Sequence, residues 1–341
     1  MIGERIRLAR EACRLTQQEL AEASGVPFGT LSGLEASQVL SPSADHVASI
    51  AKATQFPLSF FYLGPLPDLP DGHYRKLRRG TVKDSKQVRA HVRQVVELVS
   101  RAEKTLRLPP VILPAVREVH SLDAIEKIAA DVRSSLGIGV LDPISNVTRA
   151  VERAGVVVVR LPLAMRDHDG FSAWPDYGLD GRPIIALTAG HPGDRDRFNV
   201  AHELGHLVLH TLRSNTDPTR AEAEAHRFAG ALLLPRERAM QAMRPPITLS
   251  LLKAVKATFG TSIAMDAKRA RDLNIITQDQ FVSLRKQLSA RGWHRVEPVE
   301  VVREEPLLIA KIVSKLSGEG SITDRAERVS MQLFAYRALA G

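Results

Sequence analysis

The run Phe198-Asn199-Val200-Ala201-His202-Glu203-Leu204-Gly205-His206-Leu207-Val208-Leu209 constrains this chain more than any other stretch. Its two histidines lie four residues apart, and a helix stacks such a pair on one face about one turn apart. Both imidazoles can then reach a single Zn²⁺, at nitrogen–metal distances of about 2.0–2.1 Å. Glu203 is the general-base candidate of such a pattern, taking a proton from water while the metal polarises a scissile carbonyl. The neighbours are mostly apolar, so this is a helix packed into a core.

Two histidines leave a catalytic zinc site incomplete, because it normally takes three protein ligands. The acidic helix that follows, Arg220-Ala221-Glu222-Ala223-Glu224-Ala225-His226, supplies the candidates. Residues two apart on a helix point about 200° apart, so Glu222 and Glu224 cannot both face one ion. Glu222 shares a face with Ala225, His226 and Ala229 and is preferred, with Glu224 as the fallback. His210, two turns after His202, is either a further ligand or, as we prefer, a histidine beside the ligands or on the surface. His168 and His191 lie in turn-like sequence and could line the cleft. Neither is assigned as a ligand.

Organisation around this site follows from local signals. Thr16 with Glu19 makes a capping box, and Ser24-Gly25 ends that helix. A helix from Pro27 or Phe28 to Glu35 follows, and Ser43 caps a fourth. The stretch Gly64 to Gly72 holds three prolines and reads as a stiff linker. Val88, Val92, Val95, Val96 and Val99 then keep helical spacing. That stripe must be buried against the second domain or a second subunit. Helices are expected at 121–136 and 144–154. Strands are expected at Val156–Val159, Gly170–Trp174 and Pro183–Thr188, and further helices at 195–212, about 219–233 and after 248. The fold class is therefore mainly α with a small β-sheet, an α+β chain.

Charge and composition narrow the setting. The net charge is +9, yet residues 1–72 carry five Lys/Arg against eight Asp/Glu, and residues 73–107 carry eleven against three. The basic segment either adds phosphate contacts beside a DNA-reading module or is a solvated helix face. No run of apolar residues is long enough to cross a membrane. Cys13 is the only cysteine, which excludes an internal disulfide, and the charged first residues do not read as a signal peptide. The expected compartment is the cytoplasm.

Two resemblances carry the reading further. The stretch 197–210, followed by 222–235 with its Leu232-Leu233-Leu234-Pro235 ending, resembles the ImmA/IrrE metallopeptidase family. The likeness reaches back through Gly170–Trp174 and Arg182–Ile185 and covers roughly residues 115–240. It implies a zincin-like domain with His202, His206 and Glu222 as zinc ligands and Glu203 as general base. At His226 the family usually has Asn or Asp, and this position would support a metal-ligating histidine by hydrogen bonding. The stretch Leu15 to Glu35 resembles the XRE/Cro-like helix-turn-helix family. That likeness puts Gln17 against the DNA backbone and Phe28, Gly29, Thr30 and Ser32 at base edges in the major groove. Arg, Lys, Asn and Gln are absent from that edge. A domain kept for dimerisation or partner binding is the alternative.

Residues 1–66 form an all-α helix-turn-helix domain, and 67–110 a linker with a basic connecting helix. Residues 111–240 form the metallopeptidase domain and 241–341 a helical region, of which 248–300 helps close the active-site region. The expected function is a homodimeric transcription regulator on double-stranded operator DNA. Its zinc endopeptidase domain acts on a protein such as a helix-turn-helix repressor, or on its own linker near 64–110. The competing expectation is a non-hydrolytic regulator, or an antitoxin-like protein, using the same fold as a ligand or metal sensor.

Overall fold

The computed structural model describes residues 2–37, 42–69, 81–163, 170–175, 181–213 and 215–340. The first helices form where local signals put them: α1 (Ile2–Ala12), α2 (Gln17–Ser24), α3 (Phe28–Glu35) and α4 (Ala44–Thr54), then a 3₁₀ turn at Leu58–Tyr62. Thr16 and Glu19 make the reciprocal capping box at the start of α2. Gly25 closes α2 at φ 71°, a conformation that a side chain would strain. Ser43 caps α4 through the backbone N–H of His46. Ile6, Leu20, Leu31, Leu34, Val47 and Ile50 fill the core between these helices, closed by Phe60 and Phe61.

Helix α5 (Val82–Glu103) joins this bundle to the rest of the molecule. Ala90 enters the N-terminal core, while Val88, Val92, Val95 and Val99 enter a second one. Ion pairs from Arg5 to Glu97 (2.5 Å) and from Arg93 to Glu4 (2.7 Å) tie α5 to α1. The valine stripe seen in the sequence is thus buried within the same chain. The proline-rich stretch is described only as far as Leu69. The basic cluster at 75–79 and His168 lie outside the described residues, as do 176–180 of the turn between strands.

The second part begins with α6 (Leu122–Ser135) and α7 (Val147–Arg153). A three-stranded sheet follows: β1 (Val157–Arg160), β2 (Gly170–Ala173) and β3 (Ile184–Leu187), in the order β1-β3-β2. β1 runs parallel to β3, with Val157 opposite Ile184, and β2 runs antiparallel to it, with Gly170 opposite Leu187. Successive strand residues face opposite sides. Val157, Val159, Phe171, Ala173, Ile184 and Ala186 face the core shared with α5. Val158, Ile185 and Leu187 face the other way, against α8 (Gly193–His210) and α9 (Pro218–Leu233).

The remaining elements are α10 (Arg236–Ala242), α11 (Leu249–Phe259), α12 (Ile263–Asp272), α13 (Gln278–Ala290), α14 (Leu308–Ser317), α15 (Ile322–Arg328) and α16 (Leu333–Ala340). Residues 241–341, a single helical region in the sequence reading, split between two cores. Helices α10 to α13 pack on one another around Leu252, Phe259, Ile263 and Leu284. Helices α14 to α16 instead go under the sheet and against α5 through Ile309, Ile312, Val313 and Tyr336. Long-range pairing of this kind carries no local sequence signal.

Candidate metal centre

Helix α8 is buried along nearly its whole length, from Val200 and Ala201 to Leu207, Val208 and Leu209. Each fully buried leucine contributes about 1.5–3 kcal/mol, so the helix is held firmly in place. Helix α9 crosses close to it because Gly205 has no side chain. A β-carbon there would stand 3.0 Å from Phe228 Cδ1 and 3.3 Å from Ala225 Cα. This close approach brings Glu222 to the two histidines.

His202 Nε2 and His206 Nε2 lie 3.2 Å apart. Glu222 Oε2 is 3.3 Å from His202 Nε2, and Glu222 Oε1 is 3.8 Å from His206 Nε2. Tetrahedral bonds of about 2.0–2.1 Å place ligand atoms about 3.3 Å apart, so these spacings fit one small divalent ion. Among the described residues, this is the one group of three His, Cys, Asp or Glu side chains that converges in this way. His206 is 1% exposed and Glu222 is 40% exposed, so the site opens toward solvent on the α9 side.

Glu203, one residue on from His202, turns toward the sheet and is buried. Strand alternation points Phe171 and Ala173 to the opposite core and Ser172 at α8. The Ser172 hydroxyl donates to Glu203 Oε2 at 2.6 Å. Gly170 gives the same carboxylate room, since a β-carbon there would lie 3.2 Å from Glu203 Cγ. Ser172 lies within the Gly170–Trp174 stretch of the family likeness, but the sequence reading gave it no role. Only the strand phase together with the placement of α8 reveals the contact.

Glu224, the fallback ligand, points elsewhere. Its carboxylate accepts from Arg213 at 2.8 Å and Arg220 at 2.7 Å, and it meets His210 Nε2 at 3.1 Å. Burial works to raise its carboxyl, but hydrogen bonds from Arg213, Arg220 and His210 outweigh it and hold the group at about 2. Glu222 and Glu224 thus lie in separate surroundings. His210 Nδ1 in turn lies 2.8 Å from His206 Nδ1.

His226 packs its ring edge-to-face on His202 at 4.8 Å and against Phe198 at 5.2 Å. With Phe198, Met265, Lys268 and Asp272 it lines a pocket whose far wall is α12. His226 thus lies beside His202, while His210 stands next to His206. His191 Nε2 meets Thr188 Oγ1 at 3.1 Å, just ahead of α8.

At the N-terminal end, Phe28 and Gly29 at the start of α3 are exposed, and Thr30 and Ser32 are half-buried. Gln17 is tied back into the domain. Its amide donates to Glu35 Oε2 at 2.9 Å, and Glu35 also holds Arg10 at 2.6 Å.

Residues 6–61 match the helix-turn-helix family model, and residues 151–271 match that of the IrrE N-terminal-like domain. This chain fuses an XRE-type helix-turn-helix domain to a metallopeptidase-like domain of the IrrE type. No curated protein matches it. The IrrE N-terminal-like match starts in α7, includes the sheet, α8 and α9, and ends in α12. It therefore takes in all three converging side chains, Ser172, and the wall of the pocket beside His226. Among the described residues no helix is long and apolar enough to cross a membrane.

Proposed function

We propose that this protein is a transcription regulator that binds operator DNA as a homodimer in the cytoplasm. In this reading its IrrE-type domain is a zinc-dependent endopeptidase acting on a protein partner, with a helix-turn-helix repressor as the natural substrate class. The observation that carries the reading is the convergence of His202, His206 and Glu222 at ligand spacing, with the buried carboxylate of Glu203 on the same helix.

Zn²⁺ held by those three side chains would supply Lewis acidity toward a peptide carbonyl and water. The protein residues do the rest. Ser172 occupies Glu203 Oε2 and so fixes the carboxylate, leaving Oε1 to accept a proton from water and pass it to the leaving amine. Glu222, the most exposed of the three donors, marks the side from which an extended peptide enters. Phe198, His226 and Met265 offer a partly apolar wall for a substrate side chain beside it.

Residues 1–66 serve as the DNA-reading head, with Phe28, Gly29, Thr30 and Ser32 toward the major groove. The Gln17–Glu35 hydrogen bond braces the start of α2 against the end of α3, which keeps that edge rigid. The connector at 67–110, the body at 111–240 and the helices of 241–341 then form the effector part.

Metal analysis and proteolysis together test the proposal. Purified protein should hold about one zinc per chain, and Glu222→Ala should lose most of it. Glu203→Gln should keep the zinc yet lose cleavage of a helix-turn-helix repressor by at least about a hundredfold, the scale of general-base contributions. A Glu222→Ala protein with full zinc content, or a Glu203→Gln protein that still cleaves, would overturn the assignment.

A further inference from the structure

His206 belongs to a longer line of buried polar groups than the candidate centre itself requires. Its Nε2 faces His202 and Glu222, so its Nδ1 points away, and that atom lies 2.8 Å from His210 Nδ1. The far nitrogen of His210 lies 3.1 Å from Glu224 Oε2. Arg213 and Arg220 grip the same carboxylate from two directions, at 2.8 Å and 2.7 Å. His206, His210 and Glu224 are all within 2% of complete burial. Bulk water therefore does not substitute for the contacts among these three.

With His210 neutral, the chemistry allows one direction along this line. A carboxylate can only accept, so His210 must present Nε2–H to Glu224. A neutral imidazole with hydrogen on Nε2 has a bare Nδ1. That bare nitrogen accepts a hydrogen from His206 Nδ1. His206 then has its hydrogen on Nδ1 and its lone pair on Nε2, aimed at the point where His202 and Glu222 converge. The two arginines keep Glu224 in place as the acceptor that starts the sequence.

We infer that His210, anchored by Glu224, is a positioning residue that fixes the tautomer and ring orientation of His206 for metal binding. The inference rests on the metal-centre reading above for its consequence, though not for its geometry. It also gives separate work to the two glutamates of α9. Glu222 faces the ion, while Glu224, on nearly the opposite side, sets the protonation pattern of a histidine on the neighbouring helix. A metal-ligating histidine usually gives its second nitrogen to a carboxylate, a carbonyl or water, and losing that partner costs about 10–100-fold in metal affinity. Here the partner is a second imidazole, which relays the carboxylate's preference over one extra ring.

Two substitutions of similar size separate positioning from space-filling. In His210→Asn the side-chain amide oxygen stands near the old Nδ1 and can still accept from His206. In His210→Gln the amide nitrogen stands near the old Nε2 and can still donate to Glu224, but the acceptor for His206 is lost. Zinc affinity should be measured by competition with a chromophoric chelator, beside nitrogen-15 imidazole spectra of the metal-free full-length protein. In the metal-free wild type, His206 should be in the Nδ1–H form. His210→Gln should lose that form and bind zinc about 10–100-fold more weakly, with His210→Asn closer to wild type.

Equal zinc affinity in wild type and His210→Gln would overturn the inference, as would a His210→Asn protein weaker than His210→Gln. A wild-type spectrum with His206 in the Nε2–H form would overturn it even if neither variant folds. Should the wild type bind no zinc at all, the metal-centre reading fails separately, and the metal-free spectra still decide the positioning role.

Discussion

Ser172 and Glu203 stand 31 residues apart in the chain and meet through one hydroxyl. The contact is short, buried and made to a carboxylate, the kind of hydrogen bond worth about 1.5–3 kcal/mol. If Glu203 is the base, its orientation depends on this one donor. Ser172→Ala should therefore leave the zinc content unchanged and slow peptide cleavage by about tenfold to a hundredfold, the kinetic equivalent of that energy. Steady-state rates on a repressor substrate, with metal content measured on the same sample, check this. A Ser172→Ala protein with the wild-type rate would show that Oε2 needs no fixing. At this scale the sequence is informative only within one helix. The four-residue step from His202 to His206 and the two-residue step from Glu222 to Glu224 translate directly into facing directions. The contacts of Ser172, and the link from Glu224 through His210, need two elements placed together, and no spacing rule encodes that.

Among the elements, the crossing of α8 and α9 decides whether a third donor reaches the histidines. At Gly205 even a β-carbon would stand 3.0 Å from Phe228 Cδ1 and 3.3 Å from Ala225 Cα. Gly205→Leu would drive a side chain into Phe228 and push the helices apart. Overpacking of this kind costs about 1–3 kcal/mol. We expect a stability loss of that size in urea unfolding and a clear fall in zinc affinity in a metal titration. Unchanged zinc binding alongside the lost stability would mean that Glu222 does not depend on this crossing. Element boundaries were largely legible from the sequence, because caps act within a few residues: Thr16 with Glu19, Gly25, Ser43 and Ser121 each begin or end a helix as read. The β-branched run Val156–Val159 and the apolar run within Pro183–Thr188 marked two strands. The path of the last helices was not legible, since α14 packs on β1 and α5, both far earlier in the chain.

At the scale of the molecule, α5 belongs to two cores at once, and His91 lies at that junction with only 3% exposure. Burial pushes its imidazole down to about 4, against the opposing pull of its hydrogen bond to the Ala12 backbone. The folded value is below the ordinary one near 6.5. Between those values the unfolded chain binds a proton that the folded protein refuses, so stability falls as pH drops from about 6.5 toward 4. At about 1.4 kcal/mol per unit of difference, this single group accounts for about 3 kcal/mol. Urea unfolding midpoints across that range should fall less steeply in His91→Gln than in wild type. Parallel pH profiles would show that His91 is not the source of the slope. The same helix is held from a third side, where Arg101 donates to the Val329 carbonyl, and Gln332, just before α16, ties the C-terminal part to α4 by donating to the Thr54 carbonyl at 2.9 Å. The stripe of Val92, Val95 and Val99 is covered in part by side chains from 309 onward. A ribosome releases that stripe long before it makes its cover. For much of translation the nascent chain carries an incompletely covered, oily ridge, a ready landing place for a chaperone, and a message cut short before Leu308 would leave part of it permanently undressed.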